Sequence, residues 1–420
     1  MDPKKRKQKL SSSSETADAC PSPSKMKKKQ KLSKSQEIAS PSLSKNDMVK
    51  SMKKQNNAAL VLTSKVISVV AKNSNFVFSP ASINAVLTMA AATSDDETFK
   101  SSILSFLKSS STDELNAVFT EIASVVLVDG SESGGPKIAA VNGVWIEQSL
   151  SDDFKSKDLF VDFFKADFAQ VDFKSKAEEV RREVNSWASR HTNGLIKDLL
   201  PLGSVSSLTT LIYGNALYFK GSWKKEFKKS MTKDKLFYLL DGKSVSVPFM
   251  SNSKQQYVRA CYGFKVLRLP YRQGRDDTNR KFSMYFYLPD EKGDLDNLLE
   301  RMTSTRGFLD SHIPRDKVEV GEFRIPKFKI ECGFEASSVF NDFEFNVSLY
   351  QKALIEIDEE GTEAAAATTA QLSVIGLRAP VVRPPIDFVA DHPFLFLIRE
   401  DQTGTVLFAG QIFDPSKRAS

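Results

Sequence analysis

The chain is short of the residues that carry metal and redox chemistry. Its 420 residues include three cysteines, Cys20, Cys261 and Cys332, and three histidines, His191, His312 and His392. An odd cysteine count without a CxxC pair argues against a disulfide framework and fits a reduced compartment. None of the histidines lies in HExxH or near a Cys or carboxylate cluster with metal-ligand spacing, so no metal site is expected. GxSxG, GxGxxG and GxxxxGK are absent too, which leaves nucleotide-dependent chemistry without support and no nucleophile marked; no enzyme and no cofactor are expected. No run approaches the roughly 18 to 20 continuous apolar residues that span a bilayer, and no apolar segment follows the first charges, so neither membrane insertion nor secretion is expected.

What the chain does have is unevenly placed. It holds 59 Lys+Arg against 52 Asp+Glu, a net of +7. Residues 1 to 56 carry 15 of the basic and 5 of the acidic side chains, a net of +10, so the other 364 residues sum to −3. That first segment has 12 serines and no aromatic residue, while all 30 Phe, 9 Tyr and 3 Trp lie beyond it. Apolar area that can offset chain entropy is therefore confined to the body, and residues 1–56 read as a disordered basic tail. Within the tail, Lys4, Lys5, Arg6 and Lys7 form a dense cluster after Pro3, and Lys27, Lys28, Lys29 and Lys31 form a second. Such runs suit the acidic grooves of a nuclear import receptor and equally suit phosphate backbones. The expectation is a protein of nucleus and cytoplasm whose contact with nucleic acid, if any, rests on the tail.

The body is read as one mixed domain over 57–415, followed by a short tail, 416–420. Residues 57 to 72 have Ala59, Leu62, Val66 and Val69 at helical spacing. Helical patterns recur near 82–92, 96–108, 112–127 and 178–199, the last closing at Pro201. From 207 onward strands dominate: Leu211 to Phe219, Val245 to Phe249 in alternation, Phe282 to Leu288, Phe323 to Ile330, Pro393 to Arg399 and Thr405 to Phe413. Parity changes across Pro326, which predicts a bulge or an edge position there. Asn215 falls in a nearly all-apolar strand and needs hydrogen-bond partners.

One segment does not fit a static fold. Between strand signals at Ala353–Ile357 and Ile386 lies Glu359-Glu360-Gly361-Thr362-Glu363-Ala364-Ala365-Ala366-Ala367-Thr368-Thr369, then a stretch that becomes proline-rich. The 25 residues from Gly361 to Pro385 form a loop of a length that is usually functional in a compact domain. Alanine's propensity would allow a short helix here. Read instead as a strand, one face is Thr362, Ala364, Ala366, Thr368, Ala370 and Leu372, all uncharged and mostly small, so the loop could be buried on one side without overpacking. Gly361 would supply a hinge that a Cβ restricts.

Those residues resemble the hinge of the inhibitory serpins, most closely the intracellular plant serpins. The resemblance extends through Asn75-Phe76-Val77-Phe78-Ser79-Pro80, Asn215-Ala216-Leu217-Tyr218-Phe219-Lys220-Gly221-Ser222-Trp223, Phe323-Arg324-Ile325-Pro326-Lys327-Phe328 and Asp391-His392-Pro393-Phe394, in family order. It implies an α+β fold of three β-sheets and eight to nine helices, and a monomeric protease inhibitor whose exposed loop is bait. The target, a serine or papain-like cysteine protease, would cut the loop and be trapped as the loop enters the main sheet. By family spacing the bait bond is Ile375–Gly376, with Arg378–Ala379 as the alternative. The resemblance places Ser79, Ser82 and Asn215 in the network beneath the opening sheet, the shutter, and Trp223 at the breach above it. Gln351 stands where the family usually has a shutter histidine. The competing expectation is a binding protein that kept the fold and lost inhibition.

Overall fold

The backbone of the chain, taken from a computed structural model, is described for residues 43–153, 156–252, 255–275, 277, 279–343, 348–361 and 384–417. The first element begins earlier than the composition suggests. Helix α1 (Lys45–Val66) is capped by Ser44, whose side chain accepts from the Asp47 amide, and it buries Ser51, Met52, Gln55, Ala58, Leu62 and Val66 at intervals of one helical turn. The body therefore does not start at 57, and residues 45–56 do not belong to the tail. Their inward face is partly polar: Ser51 Oγ donates to Glu114 at 2.5 Å and Lys54 reaches the same carboxylate at 3.2 Å. Val69, expected on the apolar face, is half-exposed, because α1 continues into a wider π turn over Ile67–Ala71 that rotates the side chains off the α-helical stripe.

Helices α2 (Pro80–Thr93), α3 (Glu97–Phe106) and α4 (Thr112–Glu121) follow, close to the expected spans. Asp96 caps α3 by accepting from the Thr98 and Phe99 amides. Helix α5 covers Phe173–His191 and stops well short of residue 199, because Asn193 and Gly194 both take left-handed backbone conformations just past its end. Helices α6 (Leu295–Ser304) and α7 (Phe308–Ser311) complete seven α-helices among the described residues, alongside short 3₁₀ and π turns.

The strands form three sheets. The six-stranded sheet runs β1 (Phe76–Phe78), β15 (Val406–Ile412), β14 (Phe394–Glu400), β9 (Phe282–Pro289), β8 (Phe264–Pro270), β7 (Tyr257–Cys261). The four-stranded sheet runs β13 (Phe388–Val389), β10 (Phe323–Pro326), β6 (Ser244–Ser251), β5 (Lys233–Tyr238). The five-stranded sheet runs β11 (Phe328–Glu335), β12 (Ser348–Ile357), β4 (Leu211–Lys220), β2 (Lys137–Glu147), β3 (Asp167–Val171). The expected α+β architecture of three sheets is thus present. The parity change at Pro326 falls at a local edge rather than a bulge: β13 pairs only with Phe323 and Arg324, so among the described residues Pro326 has one strand partner, Phe249, and at Lys327 the chain crosses from the four-stranded to the five-stranded sheet, which resets which face is inward.

The five-stranded sheet is buried on both faces. One side joins the main core with α2 and the six-stranded sheet; on the other, α5 lays Phe173, Val184 and Trp187 over Trp145 and Ile212, with the two indoles edge to face at 4.9 Å. Double burial explains the near-continuous apolar run of β4.

Candidate functional site

The seam between β12 and β4 is joined differently along its length. The two strands run parallel and pair from Ser348↔Ile212 to Lys352↔Ala216, and there the ladder ends. Beyond it, Ala353–Ile357 pairs only with β11, and Leu217–Lys220 only with β2, among the described residues. Two parallel strands thus face one another without a shared ladder, flanking a gap whose upper end is where the chain leaves β12.

At the lower end of this gap three amides stand in one register row: Gln351 on β12, Asn215 on β4 and Asn142 on β2. Register partners project to the same sheet face. Gln351 Nε2 donates to the Ser79 carbonyl at 3.1 Å, and Asn215 Nδ2 donates to Asn142 Oδ1 at 2.7 Å. Ser79 also caps α2, its hydroxyl accepting from the Ser82 amide at 3.1 Å, with Pro80 fixing the first helical residue. Gln351, Ser79, Ser82 and Asn215 are all buried. The expected shutter residues are therefore brought together, but Asn215 is bonded to Asn142, which sequence reasoning missed. Gln351 Oε1 and Asn215 Oδ1 are buried acceptors without a donor among the described residues.

The upper end is closed by the segment after β12. Trp223 N–H donates to the Glu360 carbonyl at 2.9 Å, its indole N–H to the Asp358 carbonyl at 2.9 Å, and Phe227 N–H to the Glu359 carbonyl at 2.8 Å. The indole is nearly closed to solvent and stacks on Tyr271 at 4.7 Å. Gly361 bridges to Ser222 with φ of +134°, and a Cβ there would fall 2.3 Å from the Gly221 carbonyl oxygen. Only glycine fits both the conformation and the space.

Two charges hold the same place. The Glu359 side chain, 5% exposed, accepts from Lys327 Nζ and from Thr232 Oγ1, each at 2.7 Å. Burial alone would raise its carboxyl, yet the hydrogen bonds from Lys327 and Thr232 together outweigh it and hold the group below the ordinary carboxylate range. Glu360, more open, pairs with Lys229 at 2.5 Å. No local motif marks Lys327, Thr232, Phe227 or Lys229 as site residues; only the parity break beside Pro326 signals that Lys327 sits where two sheets meet.

The other hinge residues, Thr362, Glu363, Ala364, Ala365, Ala366, Ala367 and Thr368, lie outside the described residues, as do both candidate bait bonds, Ile375–Gly376 and Arg378–Ala379, and the basic cluster Lys4, Lys5, Arg6 and Lys7. The points on either side of 362–383 are well anchored. On the near side is Gly361; on the far side Ile386 N–H donates to the Glu319 carbonyl and Phe388 N–H to that of Glu322, leading into β13 of the four-stranded sheet.

Comparison with known proteins agrees with this geometry. Residues 53–415 match the family model described as "Serpin (serine protease inhibitor)". The chain is 69% identical over 420 residues to Serpin-Z2 of Arabidopsis thaliana, covering all of this chain and 99% of that one. It is 71% identical over 373 residues to a protein of the same plant named "Probable non-inhibitory serpin-Z5", covering 88% and 86%. Among solved structures, Arabidopsis AtSerpin1 in its native stressed conformation superposes with a TM-score of 0.80 at 49% identity, over 88% of this chain and 99% of that one.

Proposed function

The chain belongs to the serpin family, of the plant serpin-Z type, and from that premise we propose that it is a protease inhibitor acting as a suicide substrate. The observation that carries this reading is the interrupted seam. A chain turning back at Gly361 into the gap would run antiparallel to both β12 and β4, which run parallel to each other and lose their ladder at Lys352↔Ala216. A strand entering there would have an edge on each side to pair with, and a chain turning back at Gly361 would reach both edges in antiparallel sense. The uncharged, mostly small face from Thr362 to Leu372 suits entry into a sheet buried on both faces. Cleavage at Ile375–Gly376 or Arg378–Ala379 would release the loop to enter while a serine or papain-like cysteine protease is still joined to it. An apolar specificity pocket selects the first bond, and an acidic pocket the second.

The test is to mix the full chain with proteases of both types, resolve the products in SDS and map the cut by mass spectrometry. Protease-linked products that survive SDS, with cleavage at one of the two bonds, are expected. A second reading, a serpin-fold protein that binds without inhibiting, is favoured by the name of the serpin-Z5 relative. It predicts cleaved chain without linked protease and no thermal stabilisation after the cut.

The tail gives the proposal its location. Lys4, Lys5, Arg6 and Lys7 are the segment an import receptor would take, which supports a location in the nucleus as well as the cytoplasm. A fluorescent fusion with these four changed to alanine should lose nuclear enrichment; unchanged distribution would remove this part of the reading. Any nucleic-acid binding should likewise depend on residues 1–42.

A further inference from the structure

Beside the hinge lies a cavity of about 230 Å³ that shares two of the hinge's anchoring residues. Trp223 and Phe227, both nearly closed to solvent, line its inner side together with Tyr257, Leu269 and Pro270. Exposed Lys224 and Lys317 also line it, Lys317 with its ammonium 5.3 Å from the centre of the Tyr257 ring. Among the described residues no carboxylate lines the cavity. This distinguishes it from the adjoining hinge, where Lys229 and Lys327 are matched to Glu360 and Glu359. Lys224 and Lys317 have no ion-pair partner among the described residues. The cations of the lining are Lys224, Lys225 and Lys317, so its own charge is positive.

A lining rich in aromatic and apolar residues with unmatched cations at the rim defines one class of ligand. We propose that this cavity binds a small aromatic anion, a one- or two-ring acid, and that its occupancy steadies the hinge. The coupling is direct. Trp223 and Phe227 line the cavity and donate backbone N–H groups to the Glu360 and Glu359 carbonyls. A ligand packed against this lining binds only while that segment holds its place, so its binding free energy adds to that of the closed hinge.

The test uses the full chain, naphthalene-2-sulfonate and its uncharged isostere naphthalene-2-sulfonamide. Calorimetry should give one site for the sulfonate, with affinity at least tenfold weaker for the sulfonamide and for the Lys224→Glu/Lys317→Glu variant, whose exposed positions leave the fold intact. Hydrogen exchange of the Trp223 and Phe227 amides should slow about tenfold when the free sulfonate stands near ten times its dissociation constant, while the amides of β1 remain unchanged. Absent saturable binding, or equal affinity for the sulfonamide or the double variant, overturns the site; tight binding with unaltered exchange at Trp223 and Phe227 overturns its hold on the hinge. The consequence for protease trapping rests on the function proposed above, but neither readout involves a protease, so a failed cavity and a failed trap give different results.

Discussion

The two ends of the β12–β4 seam are closed by different chemistry. At the lower end closure is a backbone ladder with a row of neutral amides, Gln351, Asn215 and Asn142, two of whose oxygens have no donor. At the upper end it is a glycine that nothing else can replace, three backbone carbonyls held by Trp223 and Phe227, and two carboxylate–lysine pairs. A sheet meant only to be stable would extend its ladder along the whole seam. Here the upper half is fastened by contacts that can be released singly, and the lower half by groups that do not titrate. The difference assigns sensitivity to sequence, pH and salt to the upper end.

The strongest test of this contrast is Gly361→Val. Strain at φ of +134° and a Cβ driven into Gly221 and Ser222 should cost on the order of 3 kcal/mol in the first denaturant transition. A loss below 1 kcal/mol would mean that Gly361 is not a fixed point. Lys327→Met should come next, at about 2 kcal/mol at pH 7, because it leaves the buried Glu359 carboxylate with Thr232 alone. Its pH dependence carries the sign. In the parent the Glu359 carboxyl lies below its ordinary 4.5, so its contribution is present above that pH and is lost as pH falls through the folded value. Without Lys327, burial governs and raises the carboxyl, so acidification from pH 7 to 4 should narrow the gap between variant and parent; a gap that stays constant would show that Lys327 does not set the charge of Glu359.

Gln351→Leu should cost no more than about 1 kcal/mol, since the lost bond to Ser79 is offset by removing an oxygen that has no partner. Its effect should be flat between pH 5 and 8, whereas Gln351→His should introduce a slope in that range. A slope for the leucine variant would break the view of the lower end as silent to pH. The smallest effect belongs to Lys229→Gln, an exposed partner of Glu360; equilibrium unfolding should barely register it at low salt and not at all at 0.5 M salt, by roughly the Debye argument.

How far the residues alone revealed this site depends on which interactions each end uses. Glu359, Glu360, Gly361 and Trp223 could be placed in the hinge and breach, and Ser79, Ser82, Asn215 and Gln351 beneath it, because each sits within or beside a distinctive local motif. Asn142 could not, since it meets Asn215 only through the register of β2 and β4, and β2 itself was hidden by Asn142 and Gly143 in the middle of its apolar pattern. Lys327 and Thr232 reach Glu359 from separate parts of the chain, and no local pattern links them. The early start of α1 was missed for a related reason. Its first half buries Ser51 and Gln55 rather than an apolar stripe, and the gain comes from Glu114, whose carboxyl burial would raise but hydrogen bonds from Ser110, Ser51 and Lys54 push down to about 2. Composition, which looks for apolar area, assigned such a helix to the tail.

The position of Ser44 at the head of α1 also redraws the electrostatics. Residues 1–42 hold 11 basic and 4 acidic side chains, which is the whole net charge of the protein; residues 43–420 hold 48 of each. The folded part is therefore close to its own isoelectric point at neutral pH, the condition in which copies of a protein repel each other least. It also carries a sheet whose open seam could accept a strand from a neighbour as readily as its own. The like charge by which copies of this protein repel one another at neutral pH is therefore carried by residues 1–42, ahead of the fold.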